Sequence, residues 1–263
     1  MKKLLPILLL LSSFSVYYAN AQNAGQVNAT DDLSLLKKAD SLASYYDSDF
    51  SAVYAIVQSK PGQKNTAIVA AVFRRDAEDM YLILVMKPDI NRGQGYLKQG
   101  KTLWFYDPES KRFNSTSSAG RFQNTNARNS DFTRSTLSED YNIISAENET
   151  LGKFSCRVLS LQAKTNDMSF PRMKIWISLD GLVRKVEDYS LSGELMRTQA
   201  IDDYHFVDNH YVPKRILIID NNKGAWVNNK FINERTQITI SQPAFNKLDS
   251  SIYSKTYLEN QSR

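Results

Sequence analysis

The chain has one cysteine, Cys156, and two histidines, His205 and His210, among 263 residues. A lone cysteine excludes an internal disulfide, so the fold must stand on its apolar core. Cys156 sits in a strand-like run at 154–159 and reads as a buried small hydrophobe rather than a reactive thiol. The histidines lie across an expected turn with no cysteine or acid cluster beside them, which argues against zinc. Gly-x-Ser-x-Gly and His-Glu-x-x-His are both missing. Ser34-Leu35-Leu36-Lys37 matches Ser-x-x-Lys without its companion motifs, and Gly93-Gln94-Gly95 lacks the third glycine of a dinucleotide loop. The expectation is a protein that is not an enzyme, with no cofactor and no metal. A strong charge excess is also missing: 33 basic residues face 28 acidic ones, a formal net charge of +5. Nucleic-acid binding usually shows as a concentrated basic face, so nucleic acid is not an expected partner.

Long apolar runs are scarce. The exception is at the start, where Lys2 and Lys3 precede an apolar run at 4–11 and the small-x-small site Ala19-Asn20-Ala21. That is the pattern of a secretory signal peptide (1–21) cleaved before Gln22. The run falls well short of the roughly 20 residues that span a bilayer. No cysteine stands at the cleavage site to take a lipid, so the mature product, one domain at 22–263, is expected to be soluble.

What is present is one amphipathic helix and many strands. Residues 31–46 place Leu35, Leu36, Ala39, Leu42, Ala43 and Tyr46 on one stripe, with Asp31 or Asp32 as the cap. Two readings of this helix stand: packing on a sheet, or plugging the mouth of a cavity. Strand-like segments follow at 50–59, 65–75, 78–86 and 95–98. Further ones occupy 141–147, 153–164, 172–178, 183–190, 195–207, 212–220 and 230–241, with turns at Asp180-Gly181, Ser192-Gly193 and Asp208-Asn209. The fold class is mainly β, an antiparallel sheet of about eleven strands curling into a barrel. The stretch Met80-Tyr81-Leu82-Ile83-Leu84-Val85-Met86 is apolar on both faces, which a strand needs only when both sides are covered. Residues 109–135 have few aliphatics, so a long solvated loop is expected, with a helical turn near Phe132. Arg112, Arg121, Arg128 and Arg134 belong to that loop. Residues 245–260 read as a short terminal helix.

Lys87-Pro88, a short strand from Gly95, and Gly100-Lys101-Thr102-Leu103-Trp104-Phe105-Tyr106-Asp107-Pro108 follow one another in a specific order. With Ser130-Asp131-Phe132-Thr133-Arg134 and Leu137-Ser138-Glu139-Asp140-Tyr141, this order resembles the outer-membrane lipoprotein-sorting family, the LolA/LolB-like periplasmic carriers. The resemblance implies an incomplete antiparallel β-barrel closed by the N-terminal helix, holding acyl chains of lipoproteins or another lipid. It implies a shuttle toward the outer membrane, with an inner-membrane release complex and an outer-membrane acceptor as partners. Candidates for the lid and cavity are Leu35, Leu36, Ala39 and Leu42 on the helix, with Leu82, Leu84, Met86, Trp104 and Tyr106 on strands. By the same resemblance Lys87, directly before the proline, stands where the soluble carriers place the basic residue that latches the lid. Those carriers normally have arginine there, whose planar fork lysine lacks, and Arg92 is the substitute candidate. The alternative is a static cell-envelope lipid-binding or scaffold protein on the same fold, without cargo release.

Overall fold

The computed structural model describes residues 29–166 and 168–261; the expected leader and its cleavage site lie outside them. Helix α1 (Ala29–Leu42) opens the fold. Six strands follow: β1 (Phe50–Ser59), β2 (Thr66–Arg75), β3 (Met80–Lys87), β4 (Gly95–Gln99), β5 (Thr102–Asp107) and β6 (Arg112–Thr116). A crossing segment at 117–136 and the single turn α2 (Leu137–Asp140) lead to β7 (Tyr141–Leu151), β8 (Phe154–Ala163), β9 (Arg172–Ser178), β10 (Val183–Tyr189) and β11 (Leu195–Ile201). A small hairpin of β12 (Tyr204–Val207) and β13 (His210–Pro213) precedes β14 (Arg215–Val227), β15 (Lys230–Phe245) and the C-terminal α3 (Lys255–Gln261).

Thirteen strands form one antiparallel sheet in the order β6-β5-β4-β3-β2-β1-β15-β14-β11-β10-β9-β8-β7. The first strand therefore pairs with the last, Phe50 opposite Phe245, and the two free edges, β6 and β7, are neighbours in the chain. The sheet curls but no ladder joins those edges, which makes it an incomplete barrel. The eleven segments counted from the sequence leave out β5 and β6 of this sheet, and the run at 195–207 is broken into β11 of the sheet and β12 of the separate hairpin.

Alternation decides what faces inward. Along β1 buried and half-buried residues alternate without a break, and Tyr54 and Ile56 join Ile68, Ala70 and Val72 of β2 and Ile83 and Val85 of β3 inside. The opposite face of β3 explains its second apolar row: Leu82 and Leu84 lie under the C-terminal segment, against Tyr253, Ile252 and Leu258. Leu258 settles over Gly95, where a Cβ would come within 2.4 Å of its Cδ2.

Residues 117–136 are not a solvated loop. Phe122, Ala127 and Phe132 are fully buried in the largest core cluster, with the Phe122 ring packed at a tilt between Tyr96 and Phe132 at ring separations of 4.9 and 4.8 Å. The many Ser, Thr and Asn residues satisfy the backbone of a segment that runs through the barrel. Thr125 Oγ1 donates to the Phe122 carbonyl (2.7 Å), the Asn126 N–H donates to Thr236 Oγ1 (2.8 Å), and Asn129 Nδ2 donates to the Ser117 carbonyl (2.8 Å). Side-chain partners of this kind are what a buried irregular segment requires. The expected turn near Phe132 is a 3-10 turn, Asn129–Phe132.

Candidate functional site

The crossing segment fills the half of the barrel built by β1–β6. The other half keeps a cavity of about 320 Å³ beneath α1. Its roof is Ala39, Leu42 and Ala43, and its wall includes Phe132, Met173, Ile175, Val186, Ile216 and Ile240. That volume lies at the small end of the roughly 300–1,000 Å³ range of ligand pockets, and the wall is mainly apolar.

Helix α1 ends at Leu42 and not at Tyr46, because side chains take over its last backbone groups. Arg74 Nη2 donates to the Ala43 carbonyl (3.1 Å), and Asp76 Oδ2 accepts the Tyr45 N–H (2.8 Å). Arg74 also holds Asp76 through Nε and Nη2 and lies over the Tyr45 ring at 4.8 Å. The chain turns here, leaving Tyr45 buried and Tyr46 exposed. At the other end Asp32 is an anchor and not the cap: it sits in the first turn and receives Arg157 Nε and Nη2 at 2.7 and 2.9 Å. Near the C-terminal end of the helix, Asp40 accepts the N–H groups of Leu137 and Ser138 and the Ser135 hydroxyl, which ties α1 to α2.

The helical stripe divides between two jobs. Leu36 is fully buried against Leu159, Ile175 and Ile177, with Leu35 packed beside it, whereas Ala39 and Leu42 face the cavity. The strand candidates lie elsewhere. Leu82 and Tyr106, with Leu84 and Trp104, pack on the outer face under the C-terminal segment, where the Lys255 ammonium lies 3.6 Å over the Trp104 ring. Met86 is half-buried outside the cavity. A run that is apolar on both faces cannot tell which face meets a ligand.

Lys87 and Arg92 do not touch α1. Both grip Asp89, at 2.9 and 2.8 Å, in an exposed turn, and they hold its carboxyl down to about pKa 2. The arginine that does donate to a carbonyl at the end of the helix is Arg74. Its signal in the sequence was Arg74-Arg75-Asp76 ending an apolar strand: two cations and an acid that must enter the interior together or not at all.

Charges around the cavity are matched. Arg74 meets Asp76, Arg134 meets Glu139 at 3.0 Å, and Arg197 meets both Asp188 and Asp131 at 2.7 and 2.8 Å. Burial raises Tyr45, and pushes Tyr54 to about 12, so both phenols stay neutral. The Tyr45 hydroxyl donates to the Tyr211 carbonyl (3.0 Å). Such a chamber offers a guest a mainly apolar wall in which the charged side chains are already paired.

A family profile described as an uncharacterized protein matches residues 77–260. The chain belongs to that uncharacterized-protein family. Its fold is shared with a LolA superfamily protein from Nitrosomonas europaea, at a TM-score of 0.72 and 23% identity over 85% of this chain and 97% of that one. An outer membrane lipoprotein-sorting protein domain from Vibrio parahaemolyticus gives a TM-score of 0.75 at 18% identity, covering 88% and 100%. A DUF1329 family protein from Desulfovibrio piger gives 0.76 at 16%, covering 87% and 98%. At these identities the likeness establishes the LolA fold. No curated protein matches the chain at a significant level.

Proposed function

We propose that this protein is a non-enzymatic lipid carrier of the periplasm, released from its leader before Gln22. It takes acyl chains of lipoproteins, or of another lipid, into the cavity beneath α1 and moves them toward the outer membrane. The observation that carries this reading is the apolar chamber under a helical lid whose bordering charges are all paired. The physical need is plain: each acyl methylene left in water costs about 0.8 kcal/mol, so a long chain crosses an aqueous space only when covered. Arg74 takes the latch role that the resemblance assigned to Lys87. An inner-membrane donor and an outer-membrane acceptor complete the scheme.

A static lipid binder is the second reading, favoured by the three polar anchors that hold α1 through Asp32, Asp40 and Ala43. Mass spectrometry of lipid that co-purifies with the protein, followed by transfer to acceptor vesicles, separates the two. Leu42→Asp puts an uncompensated carboxylate against the guest, and acyl binding is expected to fall at least about 100-fold. Leu36→Asp is expected to unfold the helix from the sheet. If Leu42→Asp binds acyl probes as tightly as the parent protein, the chamber is not the lipid site.

A further inference from the structure

Hairpin turns of an antiparallel sheet alternate between its two ends, so strand order fixes which turns share a rim. The β10–β11, β14–β15, β1–β2 and β3–β4 turns follow one another along the rim farthest from the junction of α1 with β1. That rim carries exposed apolar side chains on three of these four turns: Leu191 (68% exposed), Trp226 (72%) and Ile90 (89%). The β14–β15 hairpin extends beyond the residues paired with β11 and β1, leaving Gly224–Val227 and Lys230–Asn233 paired only with each other. A register shift between Ile219 and Gly224 marks where this ribbon leaves the sheet. At its tip Trp226 stands opposite Phe231, edge to face at 5.7 Å. The Phe231 ring lies over Gly224, where a Cβ would meet it at 2.8 Å.

The charge on the same rim has one dominant sign. Residues 221–233 include Lys223 and Lys230 and no acid, and residues 60–65 include Lys60 and Lys64 and no acid. In the β3–β4 turn Lys87 and Arg92 outnumber Asp89, which they already bind. The one other carboxylate in these turns is Glu194. Buried cores do not use exposed tryptophan beside lysine at a hairpin tip. The interface of a bilayer does: its headgroup layer accepts an amphipathic ring, and anionic headgroups attract the cations around it.

We propose that this rim docks on the surface of an anionic lipid bilayer, with Trp226 and Ile90 entering the headgroup layer and Lys223 and Lys230 resting on lipid phosphates. The docking rim is separate from the chamber, and it stands whether or not the chamber carries lipid. Charge complementarity selects a bilayer over an apolar protein groove, because four of the turn lysines have no acidic partner within their own turns.

The test uses the protein as purified from its cells, with vesicles of phosphatidylcholine alone or mixed with phosphatidylglycerol. At low salt it is expected to sediment with the mixed vesicles, to stay in solution with phosphatidylcholine alone, and to be released by added sodium chloride. Each lysine near such a surface is worth about fivefold in partitioning, so Lys223→Glu with Lys230→Glu should lower binding by more than about 25-fold. Brominated acyl chains should quench the emission of Trp226 and lose that effect in Trp226→Phe. None of the three tryptophans lines the chamber, so lipid taken up there does not produce this signal. The substituted residues are on exposed turns, and an unchanged melting temperature confirms that each variant folds. Equal partitioning into both kinds of vesicle, none into either, or no change in the lysine variant overturns the proposal. So does capture by an envelope protein without vesicle binding.

Discussion

Arg75 points away from the chamber that its neighbour Arg74 borders, and it fastens the two ends of the fold together. It donates to Asp49 through Nε (2.9 Å) and Nη2 (2.8 Å), and to the Leu248 carbonyl (2.7 Å), while Asp49 accepts the Leu248 N–H (2.7 Å). Burial pushes the Asp49 carboxyl up, but the guanidinium and the N–H outweigh it and hold it below the usual carboxylate range. A depressed folded-state pKa gives stability that is present above the unfolded value near 3.9 and is lost as pH falls through the folded value. Asp49→Asn leaves buried Arg75 with only the exposed Glu78 carboxylate, 3.8 Å away, and a loss of about 3 kcal/mol is expected at pH 7. The gap between parent and variant should narrow below about pH 4 in denaturant titrations. A gap that stays constant from pH 7 to pH 3 would show that the carboxylate charge is not what Arg75 needs.

Two phenylalanines of the crossing segment separate packing from binding. Phe122 is buried away from the chamber, whereas Phe132 forms part of its wall. Each Phe→Ala change should cost about 3–5 kcal/mol, or somewhat less where the site collapses. Phe132→Ala should also enlarge the chamber and shift the preferred acyl length upward in displacement assays, whereas Phe122→Ala should leave that preference unchanged. Equal shifts in both variants would place the guest elsewhere. This segment also marks where the sequence stopped being readable. Helix, strands and hairpin turns follow from periodicity, which reports burial on one face of a regular element. Residues 117–136 have no period, and their burial depends on polar side chains bonding to a distant backbone, as Thr236 does for Asn126. The stripe on α1 was legible for the same periodic reason, but its division into Leu36 for the sheet and Leu42 for the chamber was not. Lys87 was placed by resemblance alone, and the exposed turn it occupies meets no helix.

As a whole the molecule should register its guest as stability. An acyl ligand at about 100 times its dissociation constant adds about 2.7 kcal/mol, which for a domain of this size raises the melting temperature by about 5–10 °C. Delipidated and reloaded protein compared by calorimetry gives the answer, and identical curves would count against binding in the folded core. The pairing of the first strand with the last has a different consequence, one of timing. Ser241 donates to the Val53 carbonyl across 188 residues of chain, and every rung of the β1–β15 seam spans a comparable distance. Contacts so far apart in sequence make folding slow, since the loop must close before any rung rewards it. Until β15 arrives, β1 keeps an open edge with an apolar row beside it, which is a template for aggregation. A chain truncated before Lys230 should therefore precipitate and not simply bind more weakly. The intact chain should refold in milliseconds to seconds, with yields that drop as its concentration rises.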